Sequence, residues 1–182
     1  MILPFVSESV IRDFQSARNI LISGDITPEM ALRVMLLIRD MDDGDNPIWL
    51  IIDSPGGDVQ SGWTIVDSMH LAKSPVNTVC YGQCASIAAL IFACGRKGGR
   101  LMLKHSRFMI HQPWGTLGFA PIKESDLRIS SDEMTGTRNE IENELSKASG
   151  LSIEAVHRMC DDDSFMRAEQ AVRYGFADGI IE

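Results

Sequence analysis

The chain alternates short apolar runs with longer amphipathic stretches, and this alternation restricts its fold more than any other feature. Residues 48–52 are Ile-Trp-Leu-Ile-Ile, and residues 19–23 and 76–81 are further apolar-rich runs. An unbroken apolar run is typical of a strand covered on both faces, as in a parallel sheet. Because helical stretches follow these runs, the pattern predicts an α/β architecture with a mostly parallel sheet.

Start and stop signals predict where the helices lie. Thr27 followed by Pro28 favours a helix start, and the apolar residues after it recur at helical spacing: Met30, Val34, Leu37, Ile38 and Met41. A second apolar helix face is predicted at Val59, Trp63, Val66 and His70. Further helices are expected at 86–94, at 121–149 (ended by Gly150), after Ser152 and at 168–174. Short strands are expected at 101–103, 108–111 and 165–166.

Composition indicates one globular domain. The chain has 182 residues, of which 45% are hydrophobic and 23% charged. With 25 Asp and Glu against 17 Lys and Arg, the net charge is −8, which disfavours nucleic acid and anionic membranes as partners. We expect a single domain over 19–182, preceded by a mobile N-terminal segment, 1–18.

Two features bear on location. Residues 74–95 carry no charge and are long enough to span a bilayer, but Pro, Asn, Thr, Gln and Gly interrupt them. A buried strand followed by a buried helix fits this stretch better. The four cysteines form no CxxC pair and accompany no zinc-ligand spacing, so we expect free thiols, no metal and a cytoplasmic location.

Three kinds of side chain are placed where they could carry chemistry. Ser86 lies where an apolar strand turns into an apolar helix, so a helix N-terminus could stabilise negative charge beside it; equally, Ser86 could be an ordinary helix cap. His111 ends a short strand before a Gly-rich loop, although a lone histidine is often structural. The acids at 161–163 could orient a histidine, but such runs are usually solvated.

The turn at 54–57, Ser-Pro-Gly-Gly, could supply backbone N–H groups to an oxyanion. It lacks the glycine patterns of phosphate-binding loops, which disfavours nucleotide binding. Together, a serine, a histidine, an acid and such a turn fit nucleophilic catalysis. The order of Ser86, His111 and the acids differs from that of the α/β-hydrolases, chymotrypsin and subtilisin.

Four segments resemble the family of proteolytic subunits of the Clp protease. They are IIDSPGGDVQSG at 51–62, CYGQCASIAA at 80–89, MIHQPWG at 109–115 and DSFMRAEQAVRYGFADGII at 163–181. They occur in the family's order, and the similarity extends from about residue 19 to the end. The resemblance implies a crotonase-like ββα superhelix with a projecting helical handle, at about 115–149.

The resemblance also implies an activity and an assembly. The activity is serine endopeptidase hydrolysis of unfolded proteins and peptides, with a preference for apolar residues before the cleaved bond. The assembly is a homo-oligomeric chamber of two stacked heptameric rings, a tetradecamer. A separate AAA+ Clp unfoldase uses ATP, so no cofactor is expected in this chain. Residues 1–18 would correspond to the axial pore region, which they match poorly.

Residue by residue, the resemblance assigns Ser86 as nucleophile, His111 as general base and Asp163 as the triad acid. The backbone N–H groups of Gly57 and Ile87 correspond to the oxyanion hole. Two strands that clamp an extended substrate correspond to Gly56, Gly57, Asp58 and Val59, and to Pro113, Trp114, Gly115 and Thr116.

Some residues depart from the family pattern. Cys84 replaces a usual alanine, and Asp53 replaces a usual asparagine, which adds a possible buried charge. The interval from His111 to Asp163 is a few residues longer than usual. The Cys84 and Asp53 substitutions, with the poorly matching N-terminal segment, leave open a catalytically weak regulatory or structural subunit of a mixed ring. A crotonase-fold acyl-CoA hydratase and a Ser-Lys signal-peptide peptidase are further alternatives.

Overall fold

A computed structural model describes residues 7–115 and 123–182. The strands in this part are β1 (Asn19–Ser23), β2 (Ile48–Ser54), β3 (Val76–Ala85), β4 (Arg100–Leu103), β5 (Arg107–Ile110), β6 (Ser164–Arg167) and β7 (Gly179–Ile181). The helices are α1 (Glu8–Ser16), α2 (Pro28–Met41), α3 (Val59–Leu71), α4 (Ile87–Ala93), α5 (Glu124–Ser149), α6 (Ile153–Asp161) and α7 (Ala168–Arg173).

The sheet branches at β3. Strands β1, β2, β3, β4 and β7 lie side by side and are all parallel. The middle of β3 pairs with β4 at Thr78–Cys80, and its last residues pair with β5 at Gln83–Ala85. Strand β6 then adds antiparallel to β5. The predicted mixed α/β fold with a mostly parallel sheet is confirmed, and the branch carries the chain toward the predicted site.

Several helix boundaries follow from capping. The Thr27 hydroxyl accepts the Met30 N–H at 3.2 Å, and Pro28 occupies the first helical position, as predicted. Ser152 caps α6 in the same way by accepting the Ala155 N–H at 3.2 Å. Gly150 ends α5 in the left-handed conformation (φ 81°), which costs a glycine little.

The uncharged stretch at 74–95 forms β3 and α4, as expected. Every residue of α4 is buried, and Phe92 on this helix packs edge-on against Phe108, which stacks on Phe176. Among the described residues no helix is both long and apolar enough to cross a membrane.

The buried face of α3 differs from the prediction. It consists of Ser61, Gly62, Ile65, Val66 and Met69, whereas His70 is exposed and Val59 and Trp63 are only half-buried. The reason is close packing against α4: a Cβ built on Gly62 would lie 2.0 Å from Cγ1 of Ile87. Small residues, rather than large apolar ones, therefore form the centre of this contact.

Helices α1 and α5 bear on the predictions of a mobile N-terminal segment and a projecting handle. Helix α1 lies within the predicted mobile segment and has no buried residue. Helix α5 begins at Glu124, and its only buried residues are Glu142 and Leu145, near its C-terminal end. The N-terminal part of α5 is thus exposed along its length, as a projecting handle predicts. Residues 116–122 of the predicted handle lie outside the described part.

A buried ion pair ties the end of the sheet to α5. Arg100 is 2% exposed; its guanidinium donates to both carboxylate oxygens of Asp178 at 2.8 and 2.6 Å, and to the carbonyl of Ala148 at 2.9 Å. Burial raises the pKa of Asp178, but hydrogen bonds from Arg100 and from the Gly98 N–H outweigh burial, so this pKa lies below its usual value.

Asp178→Asn is expected to lower the free energy of unfolding at pH 7 by about 3–5 kcal/mol, because it leaves a buried guanidinium without its counter-charge. A depressed carboxyl pKa contributes stability that is present above the unfolded pKa and lost as pH falls through the folded one. The difference between wild type and variant should therefore shrink in acid. Chemical denaturation at several pH values measures it, with Glu124→Gln, in an exposed ion pair, as the control. If the difference in the free energy of unfolding did not shrink in acid, the stabilising role assigned to the Arg100–Asp178 ion pair would be contradicted.

Candidate active site

Ser86 lies at the junction of β3 and α4 in a strained conformation. Its φ and ψ are 56° and −130°, a region that L residues rarely adopt. Its N–H donates to the carbonyl of Met109 at 2.9 Å, so the turn is fixed to β5. The Ser86 side chain makes no helix-capping hydrogen bond. The alternative that Ser86 is an ordinary cap is therefore not supported.

His111 follows β5 directly and meets the serine. The pairing of Ala85 with Met109 brings the ends of β3 and β5 together, so the next residues of each strand are neighbours. His111 Nε2 lies 2.8 Å from Ser86 Oγ, within hydrogen-bond distance. The imidazole is 14% exposed, which restricts the access of water to this contact. The geometry places a base on the hydroxyl of a strained serine.

Asp163 approaches the other ring nitrogen less closely. Antiparallel pairing of Ile110 with Ser164 makes Asp163 the neighbour of His111, and Asp163 has a positive φ of 46°. The distance from Asp163 Oδ1 to His111 Nδ1 is 3.8 Å, beyond a hydrogen bond, and the Asp163 side chain is 65% exposed. The acid is thus adjacent to the base and separated from it by roughly 1 Å more than a hydrogen bond spans.

The Gly-Gly turn lies against the serine. A Cβ on Gly56 would lie 2.6 Å from Cβ of Ser86, so only glycine permits this approach. The Gly56 N–H donates to Ser54 Oγ and the Asp58 N–H to the Ile26 carbonyl. Among the described residues the Gly57 N–H has no acceptor.

Ile87 supplies the second predicted amide. It is the first residue of α4, where the N–H groups of a helix lack intrahelical partners. In the part of the chain that the structure describes, the Ile87 N–H, like that of Gly57, bonds no acceptor. Ile87 follows Ser86 in the chain, and Gly57 follows the glycine that packs against Ser86. The two amides remain the predicted donors to an oxyanion.

A small apolar cavity of about 20 Å³ borders Ser86 and His111, with room for roughly one water molecule. Its other lining residues are aliphatic or proline: Val59, Ile87, Ile110, Pro113, Ile141 and Leu145. Ile141 and Leu145 are not among the residues predicted for the site, because the sequence predicts that this helix projects from the domain. Their i, i+4 spacing in a polar helix was the available signal.

The predicted substrate-clamping strands are largely not formed. Gly57 makes an isolated parallel bridge with Ile26, but Asp58 caps α3 by accepting the Ser61 N–H at 2.8 Å, and Val59 begins that helix. The expectation of a strand at Asp58 and Val59 is therefore wrong. Residues 113–115 form no regular strand either; Pro113 is half-buried, and Trp114 and Gly115 are exposed. Thr116 lies outside the described residues.

The two substitutions near the site have different environments. Asp53 is exposed and accepts the Gln83 N–H at 3.0 Å, so the expected buried charge is absent. Cys84 is fully buried. Burial, with Cys80 beside it, raises the pKa of the Cys84 thiol well above its usual value. The thiol is therefore protonated near neutral pH and is no rival nucleophile to Ser86.

Gly56→Ala is expected to lower kcat by about 100-fold or more, because the added methyl group displaces Ser86 and a small misplacement of reacting groups costs this much. Hydrolysis of a short peptide, the activity that the sequence predicts, measures the effect. Gly98→Ala is the matched control, since Gly98 has a similar φ (89° against 105°) with nothing within 4 Å of the added carbon. Equal losses in the two variants would attribute the effect to backbone strain and contradict the packing argument.

Comparison with known proteins shows which family the chain resembles. A model of the Clp protease family matches residues 6–182. The chain is 38% identical to a protein of Streptococcus agalactiae serotype V over 167 residues, 91% of this chain and 85% of that protein. The same values hold for a Streptococcus mutans protein, and one from Streptococcus pneumoniae is 37% identical over 166 residues (90% and 84%). All three are named ATP-dependent Clp protease proteolytic subunit.

Proposed function

The chain belongs to the Clp protease family, and from that premise we propose that Ser86, His111 and Asp163 hydrolyse peptide bonds as a serine-protease triad. The observation that carries the proposal is the 2.8 Å contact between Ser86 Oγ and His111 Nε2, made by a serine in a strained turn. Membership of the family supports protease activity, and this contact supports the identity of the nucleophile and base.

Acylation begins with attack of Ser86 Oγ on the carbonyl carbon of the scissile peptide bond. His111 Nε2 accepts the hydroxyl proton as the new C–O bond forms. The negative charge that develops on the carbonyl oxygen is stabilised by the N–H groups of Gly57 and Ile87. His111 then gives its proton to the departing amine, the C–N bond breaks, and an acyl-enzyme on Ser86 remains.

Deacylation repeats these steps with water. His111 Nε2 takes a proton from the water molecule, which attacks the acyl carbon, and the proton returns to Ser86 Oγ as the acid product leaves. Asp163 favours the tautomer with a proton on Nδ1 and stabilises the imidazolium that forms. The 3.8 Å separation means that Asp163 must move roughly 1 Å closer to bond Nδ1 directly.

The lining of the cavity beside Ser86 supports a preference for apolar residues before the cleaved bond. Val59, Ile141 and Leu145 offer no polar partner for a substrate side chain. The cavity is smaller than an aliphatic side chain, so binding must widen it. Gly56 and Gly57, together with Pro113–Thr116, are proposed to bind the substrate backbone once a peptide is present.

We further propose that the chain works in a homo-oligomeric chamber of two stacked heptameric rings. The exposed N-terminal part of α5 carries Leu127, Ile129 and Met134 and supports such an assembly. The relatives are named as subunits of an ATP-dependent protease, which supports a separate AAA+ unfoldase that uses ATP and delivers unfolded proteins, with no cofactor bound in this chain. The four cysteines are free, which supports work in the reducing cytoplasm.

A second candidate function is that of a catalytically weak subunit in a mixed ring. The separation of Asp163 from His111 favours it, because a triad without its acid–base hydrogen bond is a poor catalyst. Under this alternative the homo-oligomer would be inactive, and activity would appear only after mixing with an active related subunit.

Ser86→Ala is expected to reduce hydrolysis of a short fluorogenic peptide by about 10⁴-fold or more, since loss of the nucleophile leaves only the residual effects of binding and the oxyanion hole. The assay uses the assembled fraction from size exclusion. A short peptide is chosen because it needs no unfoldase to enter a chamber.

Ser68→Ala is the control, because this hydroxyl bonds a carbonyl of its own helix at a distance from the site. Activity that survives Ser86→Ala would refute the assignment of the nucleophile. An assembled wild-type fraction without activity would favour the mixed-ring alternative instead.

A further inference from the structure

The loop after His111 contacts the end of α6 through one backbone hydrogen bond, between Gln112 and Cys160, which we call the joint. The N–H of Gln112, the residue after His111, donates to the carbonyl of Cys160 in the last turn of α6 at 3.0 Å. Asp163 lies three residues beyond that carbonyl. The base and the acid of the triad therefore sit on the two sides of one backbone contact, and a shift at this joint changes the distance between them.

Arg138 of α5 spans the same joint. Its Nη1 donates to Gln112 Oε1 at 3.3 Å, and its Nη2 donates to Asp161 Oδ1 at 2.8 Å. The third arm, Nε, donates to Glu142 Oε1 at 2.7 Å and fixes the guanidinium to its own helix. The planar fork of arginine suits this arrangement, since several donors are held at fixed angles.

The charges around Arg138 explain why a cation is needed there. The Glu142 side chain is 3% exposed and also contacts His157 Nδ1 at 2.8 Å, while Nη2 of Arg138 lies 3.1 Å from the same nitrogen. Asp161, Asp162 and Asp163 follow one another at the end of α6. Without Arg138, Glu142 and Asp161 would lose the cation that bridges them, and the end of α6 would lose this contact with α5.

We propose that Arg138 is a positioning residue that keeps Asp163 near His111, so that its loss lengthens the 3.8 Å separation. The inference rests on the proposed triad function and extends it to α5. The antiparallel pairing of β5 with β6 fixes only the side of Asp163 that continues into Ser164. Arg138 fixes the other side through Asp161 and, at the same time, the residue beside His111 through Gln112. Helix α5 is thereby coupled to the alignment of the triad.

The test substitutes Arg138 in two ways. Arg138→Lys keeps the charge that neutralises buried Glu142 but loses the fork. The double variant Arg138→Met/Glu142→Gln removes both charges, so it leaves no buried carboxylate unpaired and provides a second folded test. Both are expected to lower kcat by about 10- to 100-fold with little change in KM, the scale of a 1 Å misplacement of a catalytic group.

A double-mutant cycle separates positioning from structure. If Arg138 acts through Asp163, Arg138→Lys should cause no further loss of kcat in the Asp163→Asn background. Arg128→Lys is the matched control on the exposed part of the same helix and should leave kcat unchanged. If Arg138→Lys lowers kcat equally in the wild-type and Asp163→Asn backgrounds, or changes KM alone, the inference is overturned.

The cycle and the Ser86→Ala variant together distinguish a failure of this inference from a failure of the proposed function. If Ser86→Ala abolishes hydrolysis but Arg138 and Asp163 act independently, only the positioning role fails. If Ser86→Ala leaves hydrolysis intact, the triad assignment itself fails.

Discussion

The pairing of β3 with two different neighbours is the constraint on which the site depends. The middle of β3 belongs to the parallel sheet with β4, and its end pairs with β5. This second pairing places the end of β5 beside the turn at Ser86, and the hydrogen bond from Ser86 N–H to the carbonyl of Met109 holds the turn at its positive φ of 56°. Because β6 adds to β5, the same branch brings Asp163 next to His111. Backbone register thus fixes Ser86 beside His111 and makes Asp163 the neighbour of His111.

Signals confined to a few residues predicted much of the fold. The bounds of β1 and the capping of α2 and α6 by Thr27 and Ser152 depend on local chemistry, so the sequence reveals them directly. The identity of the site residues has a different origin. Local pattern left Ser86 and His111 ambiguous and could not choose among the three aspartates; only the resemblance of four spaced motifs selected Asp163.

Features set by distant contacts could not be predicted in this way. The exposure of Asp53, the close packing of Gly62 on Ile87 and the contribution of α5 to the cavity all depend on how elements dock, which periodicity within one element does not report. The same holds for Arg138, whose partners lie 23 and 26 residues away in sequence. The 3.8 Å separation between Asp163 and His111 is likewise a result of docking, which local sequence patterns do not report.

Covalent labelling with a fluorophosphonate tests the central claim most directly, because this reagent phosphonylates a serine only where a base removes the hydroxyl proton and an oxyanion site stabilises the product. Mass spectrometry of the digested protein locates the adduct. The account predicts one adduct, on the peptide that contains Ser86, and its loss in His111→Ala. An assembled protein that takes no label, or a label on another serine, would contradict it.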